Sequence, residues 1–178
     1  MTTTIQRLTP EYASAYRALM LEAYALHPDA FTSDVGEREA LPISWWEKRL
    51  VVGPEATEVV FGAVEAGRLL GVAGLSIETR KKARHKSSLF GMYVPHAHRG
   101  KGIGHDLVDS VLAYARSLPQ LLLVQLTVTD GNRGAQHLYE RMGFEAFGVE
   151  PYAVAVGEQY VSKVHMWCDL RRSGSERG

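Results

Sequence analysis

Three glycines and two basic residues crowd into Arg99-Gly100-Lys101-Gly102-Ile103-Gly104. The residues before them, Met92-Tyr93-Val94-Pro95, form an apolar run ended by proline, and an amphipathic helical pattern begins near Ile103. Glycines at a strand-to-helix junction let several backbone N–H groups converge on one point, and the helix N-terminus adds partial positive charge there. The chemistry suited to such a junction is retention of a diphosphate. Two common phosphate loops fail on residues they require. A magnesium-nucleotide loop needs Ser or Thr after Gly-Lys, but Gly100-Lys101 is followed by Gly102. A dinucleotide fingerprint needs a third glycine where His105 stands. The spacing that remains is Arg99-x-x-Gly102-x-Gly104.

A second motif lies downstream of the apolar run Leu121–Val128. Asn132-Arg133-Gly134-Ala135-Gln136-His137-Leu138-Tyr139-Glu140-Arg141-Met142-Gly143-Phe144 reads N-x-x-A-x-x-L-Y-x-x-x-G-F. Ala135, Leu138, Tyr139 and Met142 recur at helical spacing and share a face. Gly143 stands where a helix C-terminus favours a left-handed residue, and Phe144 can pack back on the last turn. Together the two motifs resemble those of the GNAT superfamily of acetyl-CoA-dependent N-acetyltransferases. The resemblance covers roughly Ile5 to Leu170 and is strongest from Leu89 to Phe144.

What the resemblance implies is specific. The strand Leu89–Val94 is expected to splay from the next one, with backbone groups of Met92 and Val94 meeting the cofactor arm. A backbone N–H there can polarise a thioester carbonyl. Arg99, Gly100, Lys101, Gly102, Ile103 and Gly104 are expected to hold the pyrophosphate. Asn132 either bonds the cofactor arm or caps its helix, or does both. Tyr139 is the expected general acid, since a phenol with a pKa of about 10 stays protonated at neutral pH; the alternative is a core tyrosine. No carboxylate stands on Ser87–Val94, so the general base is left open between Glu78, His85 and ordered water. The implied reaction moves an acetyl group from acetyl-CoA, as cosubstrate, to a primary amine of a small molecule or peptide. A protein or peptide Nα-acetyltransferase and a non-catalytic acyl-CoA sensor are the alternatives. The amine, and whether the acyl group is acetyl or longer, stay open.

These residues need elements to position them. Ile5–Leu8 reads as a strand, and helical pattern runs from Glu11 to His27 after Thr9-Pro10. A less regular stretch, Ala30–Pro42, precedes a helix near Ile43–Val51 that carries Trp45 and Trp46. Phe31 and this tryptophan pair either roof an acceptor pocket or belong to the core. Val59–Glu65 and Arg68–Glu78 read as strands joined at Ala66-Gly67, and Ser87–Val94 is the next strand. On the helix Gly102–Leu118, Ile103, Leu107, Val111, Ala115 and Leu118 fall on one face. Leu121–Thr129 is nearly continuous and apolar, as a buried central strand should be. After the helix Asn132–Met142 come strands near Phe144–Val149 and Gln159–Leu170. The order β-α-α-β-β-β-α-β-α-β-β implies an α/β (mixed α+β) GNAT fold, with helices flanking a mostly antiparallel, splayed central sheet. Residues 1–170 are expected to form a single domain, and 171–178 a polar, disordered tail.

Composition narrows the class further. With 178 residues, 46% of them hydrophobic, the chain suffices for one domain with a core. The formal net charge is zero, so no global field draws the chain to nucleic acid or an anionic membrane. No apolar run approaches the ~20 residues needed to span a bilayer. One cysteine, Cys168, cannot form an internal disulfide and suits a reducing cytoplasm. The basic run Arg80–Lys86 is either a solvated turn or an attractor of acidic groups. His96-x-His98 lacks the further ligands of a metal site, and none is expected. A cytoplasmic monomer or homodimer, with neither a nucleic-acid nor a membrane partner, is the expectation.

Overall fold

The computed structural model describes residues 2–172. In chain order the elements are β1 (Thr4–Arg7), α1 (Ala13–Leu26), α2 (Val35–Glu39), α3 (Ile43–Arg49), β2 (Glu58–Glu65), β3 (Arg68–Ile77), β4 (Lys86–Tyr93), α4 (Ile103–Arg116), β5 (Leu123–Thr129), α5 (Arg133–Arg141), β6 (Glu145–Val156) and β7 (Gln159–Asp169). The seven strands form one sheet in the order β1-β2-β3-β4-β5-β7-β6. Every neighbouring pair is antiparallel except β4 and β5.

Helices cover both faces. The apolar stripe of α4 buries Ile103, Leu107, Val111 and Ala115 against Ala63, Leu75, Leu89, Val124 and Met166, with Tyr139 and Phe144 in the same core. On the other face α1 and α3 bury Tyr16, Met20 and Trp46 against Leu8, Val60, Val72 and Tyr93. Of the two expected roles, both tryptophans take the core one, since neither lines the cleft and Trp45 packs against the second core beside Trp46. Trp46 is fully buried, with its ring edge-on to Tyr16, whereas Trp45 is half-buried and carries the guanidinium groups of Arg38 and Arg49 against its ring. Cys168 is buried in the first core.

The expected order is observed, with one addition and one extension. The addition is α2, within a stretch expected to be irregular. Its cap is local, because the Asp34 carboxylate accepts from the Glu37 N–H at 3.0 Å, but five residues are too few to display a period. The extension is β6, which continues to Val156 rather than ending near Val149. Pro151 and two register shifts against β7, at Ala146/Gly148 and Glu150/Val154, break the alternation that marks a strand in sequence. The helix expected from Glu11 opens as a 3₁₀ turn at Pro10–Tyr12 and becomes α-helical at Ala13. Arg171 and Arg172, expected in the disordered tail, form a turn in which both pair with Asp169. The rest of that tail lies outside the described residues.

Candidate active site

The site begins where a ladder stops. Strands β4 and β5 pair only at Lys86/Leu123, Ser87/Val124 and Ser88/Gln125, so they part beyond Ser88. On its other side β4 carries a bulge, with one extra residue between the pairs Gly74/Phe90 and Val72/Tyr93. Gly91 takes the bend with φ +56°, a left-handed conformation that glycine adopts without strain. The Phe90 ring lies directly over Gly74, where a Cβ would come within 2.5 Å of it. A bulge and an absent ladder partner together leave the backbone of Gly91–Tyr93 available to something other than the sheet.

Beyond Tyr93 the chain makes a 3₁₀ turn at His96–His98 and enters the glycine loop. The Arg99 Nε–H donates to the Val94 carbonyl at 2.8 Å, which latches the loop to the end of β4. Gly100 and Gly102 both have positive φ, +76° and +80°, and a Cβ on either would point into open space. Gly102 is the N-cap of α4 and supplies no side-chain cap. The first N–H groups of a 14-residue helix therefore face the opening with their partial positive charge unspent. Such a cradle fits a diphosphate.

The opposite wall is α5. Asn132 caps it, its Oδ1 accepting from the Ala135 N–H at 3.3 Å, so the capping role expected for this residue is filled. Tyr139 is buried, its ring edge-on to Phe144 at 5.8 Å, and burial pushes its hydroxyl up to about 12. A phenol so shifted stays protonated throughout the neutral range.

These walls enclose a cleft of about 990 Å³. Met92, Val94, Arg99, Gly100, Gly102, Ile103, Gly104, Asn132 and Tyr139, all singled out from the sequence, line it. Lys101 is exposed on the loop and is not among the lining residues. Neither Glu78 nor His85 lines the cleft. Arg80 grips Glu78 through two contacts, Nε–Oε1 at 3.0 Å and Nη2–Oε2 at 2.7 Å, and these bonds pull the carboxyl down to about 2. A carboxylate that acidic is a weak proton acceptor. The basic run around it sits at the start of β4, about 25 Å along an eight-residue strand from the glycine loop end.

Several cleft residues were not singled out from the sequence. Lys163 on β7 is 4% exposed, and its Nζ donates to the carbonyls of Asp29 and Ala30 and to the Thr129 Oγ1. Thr129 in turn donates to the Asp29 carbonyl at 2.7 Å. This buried ammonium thus pins the loop after α1 to β5 and β7, shaping the wall that carries Phe31. A lone lysine amid the apolar residues of β7 was the available signal. We expect Lys163→Met to fold but to lose about 1–3 kcal/mol, the usual cost of orphaned buried acceptors. Amide exchange at residues 29–33 should quicken, and unchanged exchange would show that the lysine does not hold the loop. Arg38, Arg49 and Glu58 also line the cleft, at its end away from the glycine loop.

A helix-flanked mixed sheet, opened between its parallel strands over a glycine-loop helix, defines the acyltransferase architecture that the motifs led us to expect. The acetyltransferase (GNAT) family model matches residues 17–144, and the chain belongs to that family of acyltransferases, which use acetyl-CoA. It is 28% identical over 142 residues to streptothricin acetyltransferase of Escherichia coli, spanning 78% of this chain and 79% of that protein. A GNAT-family acetyltransferase from Streptococcus pneumoniae has the same fold, with a TM-score of 0.83 at 24% identity over 93% of this chain and 98% of that one. So does an acetyltransferase structure from Salmonella typhimurium solved with acetyl-CoA, with a TM-score of 0.79 at 20% identity over 97% and 96% of the two chains. No helix among the described residues is long and apolar enough to cross a membrane.

Proposed function

We propose that this protein transfers the acetyl group of acetyl-CoA to a primary amine of a small molecule, with residues 1–170 acting as one catalytic domain. The observation that carries this reading is the parting of β4 from β5 after Ser88, with the glycine-loop helix on one side and Tyr139 on the other. The names of the E. coli relative and of the Salmonella structure support the acetyl donor and a small acceptor.

Acetyl-CoA, when bound, supplies the acetyl group as an activated thioester. The chain's own residues do the rest. The N–H groups of Gly100 to Gly104 and the Arg99 guanidinium hold the diphosphate. Backbone groups of Met92 and Val94 meet the cofactor arm, which stands where a ladder partner would. An N–H at the Gly91–Tyr93 bulge donates to the oxygen on which negative charge develops. The Tyr139 hydroxyl gives its proton to the departing sulfur. Glu58 is the one carboxylate among the described lining residues, and Arg49 already holds it. With Glu78 and His85 outside the cleft, ordered water is the remaining one of the three bases weighed from the sequence, beside the imidazoles of His27 and His98 that line the cleft.

Calorimetric titration with acetyl-CoA, with NAD and ATP as controls, is the direct test. Saturable binding of acetyl-CoA alone, followed by thiol release with amines, is the expected result. Binding without turnover across many amines would favour a sensor, and no binding by protein cleared of copurified CoA would refute the reading.

A further inference from the structure

The end of the cleft away from the glycine loop carries charge that the cofactor does not account for. Five basic side chains line the cleft, Arg38, Arg49, Arg99, Arg141 and Lys163, against Glu58 as the single carboxylate among the described lining residues. Three of the five are already explained. Arg99 belongs to the glycine loop, Arg141 to α5 on the cofactor wall, and Lys163 spends its donors on the Asp29 and Ala30 carbonyls and Thr129. Arg49 is matched by Glu58, with Nε 2.6 Å from Oε2. The contact is off the hydrogen-bond axis, since that oxygen has no aligned donor.

Arg38 has no such match. None of the ion pairs among the described residues includes it. It is nevertheless held in place. Its Nη2 donates to Ser33 Oγ at 3.0 Å, and its Cζ lies 4.7 Å from the centre of the Trp45 ring. The Arg49 Cζ lies 4.5 Å from the same centre. Two guanidinium charges on one ring are within roughly 10 Å of each other, where repulsion is not fully screened. An oxyanion bound at Arg38 relieves that repulsion and meets a guanidinium, whose planar fork suits two-point contact. Phe31, Tyr24 and Phe90 supply apolar lining beside it.

We infer that the acceptor is a primary amine that also carries a carboxylate, a small amino acid, and that Arg38 binds that carboxylate. This rests on the acetyltransferase reading. A polyamine, by contrast, would bring two or three more positive charges to an end of the cleft with one carboxylate, itself already paired.

The test compares matched amines by thiol release: L-phenylalanine with phenethylamine, L-methionine with 3-(methylthio)propylamine, and spermidine as the polycation. We expect the amino acid of each pair to have the higher kcat/KM. Arg38→Gln should remove that advantage through KM, by about 10- to 100-fold, with the decarboxylated amines little changed. Arg38→Glu should reverse the preference. Arg38 is half-buried on a five-residue helix, so neither change threatens a core, and calorimetry with acetyl-CoA checks each variant. A wild-type protein that prefers the decarboxylated amines or spermidine overturns the inference, as does an amino-acid preference that survives Arg38→Glu. If none of the amines is acetylated, direct titration with the two amino acids decides, and no saturable binding refutes it. Acetyl-CoA binding that stays intact through those failures leaves the acetyltransferase reading standing, whereas its absence removes both.

Discussion

Gly102→Glu should abolish saturable binding of acetyl-CoA in a protein that still folds. Three effects act together. The residue has φ +80°, so any side chain there is strained, by roughly 1–2 kcal/mol for an ordinary L-residue. Its Cβ would project into the open cradle rather than into protein, so the substitution causes no clash in the core. The new carboxylate would sit at the start of α4, where the helix's partial positive charge would hold it as an internal substitute for the diphosphate. Two variants separate these contributions. Gly102→Ala carries the backbone strain alone and should lower stability more than affinity. Gly102→Gln adds bulk without charge and should fall between. Near-normal affinity in folded Gly102→Glu would show that the diphosphate lies elsewhere.

The loop that this prediction tests was legible in the sequence because its parts are contiguous. A proline-terminated strand, alternate glycines and a 14-residue amphipathic helix follow one another without interruption, and each leaves a local signature. The same holds for α5, where Asn132 at the N-cap, Tyr139 within the helix and Phe144 just past its C-cap lie in one short stretch of chain. The candidate site residues of both motifs line one cleft, with Lys101 as the exception. The acceptor end was not legible, for a physical reason. Arg38, Arg49, Glu58 and Lys163 come from α2, α3, β2 and β7, and only closure of the sheet brings them to a common cleft. Their spacing along the chain repeats nothing.

Glu78 is a different case, one of three candidates among which the sequence did not choose. Its position on the strand before β4 made it a candidate base, yet its fate is decided two residues away by Arg80. A neighbouring arginine that can reach back to form a forked pair lowers a carboxyl pKa, and the depression to about 2 is of that origin. The lesson extends to the cleft itself. Where charges are already paired, as in Arg49 and Glu58, they shape the wall; Arg38, held but in no ion pair among the described residues, is the one we assign to a ligand. Burial works similarly on Tyr139, because the apolar surroundings that raise its pKa keep its proton in place until a stronger base forms beside it.

Tyr139→Phe therefore separates chemistry from binding. The ring contacts with Phe144 and the first core survive the change, so stability and acetyl-CoA affinity should stay close to wild type. Only the proton is lost. General-acid catalysis by a positioned side chain is worth about 10²–10⁴-fold, and kcat should fall by at least the lower figure with an amine whose acetylation is limited by chemistry. The pH dependence supplies an independent check. Deprotonation of a phenol near 12 means that Tyr139 is fully protonated at neutral pH and loses its proton only in strong alkali. The wild-type kcat should accordingly show no alkaline decline attributable to this residue at pH 10, where an ordinary tyrosine would already be half ionised. An unchanged kcat in folded Tyr139→Phe would remove the residue from the proton-transfer step and make it a core tyrosine at the edge of the cleft. A fall in acetyl-CoA affinity equal to the fall in kcat/KM would instead make it a binding residue.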